Sequence, residues 1–178
     1  MDLLIRAVRK RIQELQRSGD QDEASSTDFA PLTARELDAV ERRLGHRLPE
    51  SVRALYGTVG NGGYGPAYGL LGLVGGMTQE EGHDALSQRE MYLQPDPSDA
   101  AWAWRKGLLP LVHLGCAMYF CVDCTTAEGD VVWFEPNAHD QGAWDDTFFP
   151  LGLTFEALMR TWADGVSTLE LMEVGRRG

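Results

Sequence analysis

The sequence lacks the features that mark several large classes of proteins. No apolar run approaches the ~20 residues that a membrane-spanning helix needs, and the apolar stretch at residues 3–5 is too short for a secretory signal peptide. Only three cysteines and four histidines occur in the chain, so neither a disulfide framework nor a histidine metal cluster is expected. These absences predict a cytoplasmic protein that does not bind a membrane.

The three cysteines, Cys116, Cys121 and Cys124, lie within nine residues. Their Cys-x4-Cys-x2-Cys spacing could suggest a metal site, but structural zinc takes four ligands and His113 is the only nearby candidate for the fourth. Because the same segment also has the pattern of a β-strand, buried free thiols are the favoured interpretation. We therefore expect no metal, no disulfide and no cofactor.

Basic residues are scarce in the second half of the chain. Residues 1–60 carry ten acids and ten bases, whereas from residue 61 onward there are seventeen acids and six bases, which accounts for the net charge of −11. Between Lys106 and Arg160 there are eight acids and neither lysine nor arginine. Nucleic-acid phosphates attract the opposite sign of charge, so no direct nucleic-acid binding is expected. The balance favours a basic protein partner, although an acidic surface can also serve solubility alone.

No catalytic constellation stands out. A nucleophilic site needs a cysteine, a histidine and an acid that converge, and His113, Cys116 and Asp123 are the only compact candidates. Asp123 lies seven residues beyond Cys116 on the same predicted strand, which separates them by ~20 Å. The sequence therefore predicts a protein that is not an enzyme.

Residues 57–76 contain nine glycines. The segment from Gly60 to Gly65 fits the G-x-G-x-x-G pattern of dinucleotide-binding turns, but that pattern needs a preceding strand and a following helix. Here a predicted helix precedes it and Pro66 follows it. We interpret the glycines as the means by which the chain leaves the helix and enters a sheet through residues 68–74.

The first half of the chain has the pattern of helices. Thr33 and Glu36 form a capping-box signature, the helix that they begin ends at Gly45, and Pro49 is suited to the first position of a second helix. An additional N-terminal helix is predicted at residues 3–16, within an extension of 1–17. The segment 18–31 has the composition of a loop or linker.

The second half has the pattern of a sheet closed by a helix. Residues 116–123 and 130–135 are predicted to form an antiparallel hairpin, after a short helix around 84–92. Thr154 caps a predicted final helix, 154–163, which has apolar residues at helical spacing. The fold class is therefore α+β in a single domain over residues 1–178: N-terminal helices, a central and mainly antiparallel sheet, and a C-terminal helix.

Several motifs in this order resemble the SUKH superfamily, which joins the fungal Smi–Knr cell-wall regulators to many bacterial immunity proteins. The resemblance covers residues 33–172 and leaves the first 32 residues outside. The matching motifs are Glu41, Leu44-Gly45, Leu48-Pro49-Glu50, Asn61-Gly62-Gly63, Gly107-Leu108-Leu109-Pro110, Gly115-Cys116, Val122-Asp123-Cys124, Val131-Val132 with Phe134 and Pro136-Asn137, and the segment from Leu153 to Gly165.

The resemblance implies the same α+β fold and a binding role without catalysis. Bacterial members neutralise polymorphic toxins, often nucleases or deaminases, whereas fungal relatives are regulatory interaction proteins. Together with the acidic second half, this predicts an immunity protein that binds a basic protein toxin. A regulatory scaffold of the Smi–Knr type is the alternative, and a small-ligand binder or an enzyme would need a concave site with converging polar groups.

The predicted partner-binding site combines one aromatic residue with exposed acids. Trp144 lies in a polar loop, and a large aromatic side chain among carboxylates is typical of an interface anchor. The alternatives are that Trp144 folds back onto the sheet, or that the partner binds the glycine-rich segment or the helix pair. The predicted site residues are Glu128, Asp130, Asp140, Trp144, Asp145 and Asp146. The sequence predicts neither the identity of the partner nor the oligomeric state.

Overall fold

A computed structural model describes residues 1–19, 24–140 and 142–175. The helices and strands, in chain order, are α1 (Asp2–Ser18), β1 (Ala24–Ser25), α2 (Ala34–Leu44), α3 (Glu50–Thr58), β2 (Tyr64–Gly65), α4 (Ala85–Tyr92), β3 (Leu108–Gly115), β4 (Met118–Asp123), β5 (Asp130–Phe134), β6 (Phe148–Thr154), α5 (Phe155–Ala163) and α6 (Thr168–Gly175). Two short 3-10 helices, Pro136–Ala138 and Trp144–Thr147, lie between β5 and β6. The predicted α+β class is confirmed.

The helix pair α2–α3 forms as its sequence signals predict. The main-chain N–H of Glu36 donates to Thr33 Oγ1 over 3.3 Å, and the N–H of Thr33 donates to Glu36 Oε2 over 2.7 Å, so the capping box is complete. Gly45 ends α2 in the left-handed region, at φ +78°. Pro49 is the residue before α3 rather than its first residue, a shift of one position from the prediction.

A buried carboxylate holds the turn between these two helices. Glu41 on α2 accepts the main-chain N–H of Leu48 over 3.1 Å and lies 3.2 Å from the guanidinium groups of both Arg47 and Arg53. A buried charge is tolerated where it is paired and hydrogen-bonded. The contacts therefore explain why an acid occupies this otherwise apolar face of α2.

Strands β3, β4, β5 and β6 form an antiparallel sheet in that order. The predicted hairpin is confirmed, with Cys121 opposite Val132, but its first strand begins at Met118. Cys116 and Ala117, expected within the strand, instead form the two-residue turn from β3 to β4, with φ values of +48° and +59°. A two-residue hairpin turn of type I′ has positive φ at both positions, and nothing in these two side chains signals that conformation.

The glycine-rich segment follows β3 without becoming a regular strand. Leu70 makes one isolated bridge to Val112, and the N–H of Leu71 donates to the carbonyl of Leu111 over 2.7 Å. The buried side chain of Asn61 accepts the N–H of Leu73 over 2.9 Å and donates to the carbonyl of Val74 over 3.0 Å. Residues 68–74, predicted to enter the sheet, thus contact β3 through a few main-chain hydrogen bonds and do not form a regular strand. The Asn61 side chain bonds the main chain at Leu73 and Val74.

The N-terminal helix α1, expected as an addition to the resembling core, is packed into the protein. Its buried residues lie along one face, which packs against α5: Leu4, Val8, Ile12 and Leu15. Strand β1 lies inside the segment predicted as a loop or linker, and it pairs with β2. Residues 20–23 of that segment lie outside the described part of the chain. Within the described residues, no helix has both the length and the apolarity to cross a membrane.

Helix α5 closes the core. The N–H of Ala157 donates to Thr154 Oγ1 over 3.2 Å, and the apolar side chains predicted to face inward are all buried: Phe155, Leu158, Met159 and Trp162. These residues join α1, α3 and the sheet in one apolar cluster. The helix predicted at 154–163 and its packing are confirmed, but it is not the last one, because α6 (Thr168–Gly175) follows it.

Replacing Trp162 with alanine should lower the free energy of unfolding by about 3–5 kcal/mol, because it leaves a large cavity under α5. Urea denaturation of both proteins measures the difference. Leu3→Ala is the matched control, since Leu3 is 69% exposed, and it should change stability by less than about 0.5 kcal/mol. Similar effects for the two variants would contradict the packing of α5.

Replacing Asn61 with alanine should lower the free energy of unfolding by about 1–3 kcal/mol or more, because the N–H of Leu73 and the carbonyl of Val74 lose their partner. Chemical denaturation again measures the loss. Asn137→Ala removes the same group from an exposed position, and we expect only a small effect. An Asn61→Ala protein as stable as the Asn137→Ala protein would show that the amide does not hold the segment.

Candidate functional site

The structure separates the predicted site residues into two groups. Glu128 lies in the turn between β4 and β5 and Asp130 is the first residue of β5, whereas the loop from Glu135 to Thr147 leaves the opposite end of β5. The length of β5 places these ends ~13 Å apart along the strand. The structure therefore does not bring the hairpin acids and the loop acids together at one end of β5.

The hairpin group lies beside the helices. The carbonyl of Gly129 accepts the N–H of Phe155 over 2.8 Å, at the first turn of α5, and Asp130 lies opposite Thr154 in the sheet. A side chain at Gly129 would contact Pro49, so this turn sits against the start of α3. Glu128 and Asp130 are both exposed.

The loop group surrounds Trp144, and it is here called the Trp144 loop (residues 135–140 and 142–147). Its three predicted acids are exposed: Asp140, Asp145 and Asp146. Asp145 Oδ1 lies 3.4 Å from an Arg105 guanidinium nitrogen. An ion pair this exposed contributes little to stability, so a partner can compete for that carboxylate at small cost.

Trp144 is half-buried and folds back onto other aromatic rings. Its ring stacks on His139 with centroids 3.9 Å apart, and it meets Trp102 edge-on at 4.7 Å. The indole Nε1–H donates to Asp99 Oδ2 over 2.7 Å. Trp144 is thus folded back onto these three side chains, and because its N–H is already bonded, the ring is the part left for a partner to contact.

The Asp99 carboxylate ties this loop to the segment before β3. The hydrogen bond from Trp144 lowers the pKa of Asp99, and the main-chain N–H of Ala101 and the nearby His139 add to the effect. His139 Nε2 lies 3.8 Å from Asp99 Oδ2, and this contact is an ion pair when the imidazole is protonated. Asp99 therefore remains ionised, and the loop keeps its anchor, throughout the physiological pH range.

An apolar groove opens beside the Trp144 ring. Its volume is about 440 Å³, and Asp96 adds a carboxylate to its lining. Here it is called the Trp144 groove, and the rings and prolines along it are Tyr92, Pro95, Pro97, Trp102, Phe134, Pro136 and Trp144. A concave apolar surface with a few polar groups is the usual form of a binding site. Asp145 and Asp146 directly follow Trp144, whose ring lines this groove.

Sequence reasoning missed two residues that build the site. Asp99 lies 45 positions before Trp144, and no local pattern links them. His139 is one of the four histidines, which form no cluster in the sequence, and in the structure its ring stacks on Trp144. A pairing between distant loops has no periodic signal, so only the folded chain reveals these contacts.

The candidate nucleophilic residues do not converge. His113 pairs with Tyr119 near the turn at the start of β4, whereas Asp123 pairs with Leu108 at the far end of that strand. Cys116 is exposed on the turn, while Cys121 and Cys124 are buried. Burial raises the pKa of the Cys124 thiol to about 12. Among the residues that the structure describes, no group of three or more histidine, cysteine, aspartate or glutamate side chains is placed to hold a metal ion.

Comparison with known proteins points to one family. The sequence model of the SMI1 / KNR4 family (SUKH-1) matches residues 31–161. The matched region begins before α2 and ends within α5, so it includes the helix pair, the glycine-rich segment and the four-stranded sheet. No curated protein matches the chain.

Replacing Trp144 with phenylalanine should raise the pKa of Asp99 toward its ordinary value of 3.8, because the main hydrogen bond that lowers it is lost. A carboxyl with a lowered pKa stabilises the fold above its ordinary pKa, and that contribution disappears as the pH falls through the lowered value. Titration of the Asp99 carboxyl carbon by NMR measures the change.

Asp96 is the internal control for this titration. Ser98, through its hydroxyl and main-chain N–H, lowers the pKa of Asp96, and we expect no comparable change there. An Asp99 pKa that is unchanged in Trp144→Phe would contradict the indole–carboxylate bond.

Proposed function

This chain belongs to the SMI1/KNR4 family (SUKH-1), and on that premise we propose that it is a protein-binding immunity protein that neutralises a basic toxin by direct contact. The observation that carries the proposal is the Trp144 loop: exposed carboxylates around a half-buried indole, beside an apolar groove of about 440 Å³. In the same proposal, the protein acts by occluding its partner and not by catalysis.

The two parts of this surface have different roles in binding. Exposed acids raise the rate at which a basic protein meets the surface, because charge steers the encounter. The rings of the groove then hold the complex by burial, as aromatic side chains do at the centres of interfaces. A nuclease or deaminase that acts on nucleic acid carries the positive charge that such a surface attracts.

The proposal places the hairpin acids outside the contact surface. Glu128 and Asp130 lie at the opposite end of β5 from the loop, next to the helices α3 and α5. A partner seated on the Trp144 groove would meet Asp140, Asp145 and Asp146 first. The hairpin acids therefore offer a matched control for the loop acids.

The first step of the test identifies the partner by affinity purification of the protein from its native organism. The proposal requires a basic protein that is toxic when produced alone and harmless when produced together with this chain. A partner that is not toxic would replace the immunity role with the regulatory one of the Smi–Knr type.

The second step compares two double variants that change the charge equally. Asp140→Lys with Asp146→Lys should slow association with the toxin by about tenfold or more and remove its strong salt dependence, measured by stopped-flow or surface plasmon resonance. Glu128→Lys with Asp130→Lys should leave the rate within about twofold, apart from the general effect of net charge. An equal loss in both variants would show that the loop is not the contact surface.

A further inference from the structure

A second cavity lies beside the turn formed by Cys116 and Ala117. Its volume is about 580 Å³, and it is called here the Tyr68 cavity, defined by Tyr68, Glu80, Glu81, Gln88, His113 and Tyr119. The glycine-rich segment, the loop before α4 and the turn of the β3–β4 hairpin each contribute to its wall. The contact surface proposed at the Trp144 loop leaves this cavity without a role.

The walls of this cavity are aromatic. The Tyr68 ring lies 5.3 Å from the His113 ring, and His113 lies 5.4 Å from the Tyr119 ring. Tyr68 is 62% exposed although it is a large aromatic side chain, so one ring of the group stands open to an incoming ligand. Such rings attract cations through the negative charge of their faces.

The charges in this cavity have a single sign. Glu80 and Glu81 are exposed acids of its lining, and none of the described residues that line it is a lysine or an arginine. Burial lowers the pKa of His113 despite the opposing effect of Glu80. The imidazole is therefore neutral at pH 7 and does not repel a cation.

Hydrogen bonds order the main chain of the turn that carries the two acids. Gln79 Oε1 accepts the main-chain N–H of Glu81 over 2.8 Å, and Gln79 Nε2 donates to Gln88 Oε1 over 2.9 Å. Main-chain bonds from Gly82 to Gln79 and from Gln79 to His83 close the turn that carries both acids. A site ordered in advance loses less entropy on binding.

We infer that the Tyr68 cavity binds the side chain of an arginine that the basic partner presents. A guanidinium is planar and stacks on aromatic rings while its N–H groups donate to carboxylates, which the compact ammonium of lysine does less well. The inference rests on the proposed function for the nature of the partner. To that function the inference adds the type of residue that the partner inserts, and a second contact region besides the Trp144 groove.

The test uses this protein alone and needs no toxin. N-acetyl-arginine methylamide is titrated into the ¹⁵N-labelled protein, with the citrulline analogue, which has the same shape and no charge, as the reference ligand. We expect saturable shifts of the amides around the cavity with the arginine compound and none with the citrulline compound. Equal binding of both compounds, or no saturable shift at the cavity, would overturn the inference.

Variants of the cavity sharpen this result. Tyr68→Ala and the pair Glu80→Gln with Glu81→Gln should each weaken arginine binding by about fivefold or more, since each removes one of its two attractions. The pair Glu128→Gln with Asp130→Asn is the matched control and should leave binding unchanged. The dispersion of the amide spectrum shows that each variant is folded. A lysine analogue that binds more tightly than the arginine analogue would also contradict the assignment.

The outcomes separate this inference from the proposed function. If the arginine compound fails to bind while the loop variants still slow association with the toxin, the cavity inference alone is wrong. If the compound binds with the expected variant pattern but the native partner is not toxic, the arginine site stands and the immunity role fails.

Discussion

The hydrogen bonds of the Asn61 carboxamide hold the glycine-rich segment, on which the position of Tyr68 depends. Residues between β2 and α4 have no regular secondary structure, yet residues 69–73 are buried, and buried main-chain groups need partners. Asn61 supplies them: its side chain bonds Leu73 and Val74, its own carbonyl accepts the N–H of Met77 over 3.2 Å, and its N–H donates to Phe29 over 3.1 Å. One residue thus closes the glycine-rich segment on itself.

The glycines around Asn61 are required by how closely the chain folds there. A side chain on Gly62 would begin 2.5 Å from the carbonyl oxygen of Leu70. Gly62 and Gly76 also both have positive φ, which other residues rarely adopt. With the segment held, Tyr56 on α3 donates its hydroxyl to the carbonyl of Leu71 over 2.6 Å. The helix pair, the segment and β3 are thereby tied together, and Tyr68 is placed over His113.

The two proposed contact regions are neighbours in the folded chain. The Trp144 groove and the Tyr68 cavity share Met91, Tyr92 and Ala117 in their linings. Met91 is 40% exposed, so apolar surface continues between them. A partner that reaches both would combine burial in the groove with a charge-specific contact in the cavity, and the acids along both would steer its approach.

The sequence by itself determined the elements whose signals are local. The capping box at Thr33, the glycine end of α2 and the apolar spacing of α5 each involve residues within a few positions, because a helix repeats every 3.6 residues. Only the tertiary structure decided the turn at Cys116 and Ala117, the bond from Trp144 to Asp99, and the separation of the hairpin acids from the loop acids. The physical reason is that main-chain conformation follows from short-range sterics and hydrogen bonds, whereas the site is made of contacts between distant segments that meet only when the core is packed.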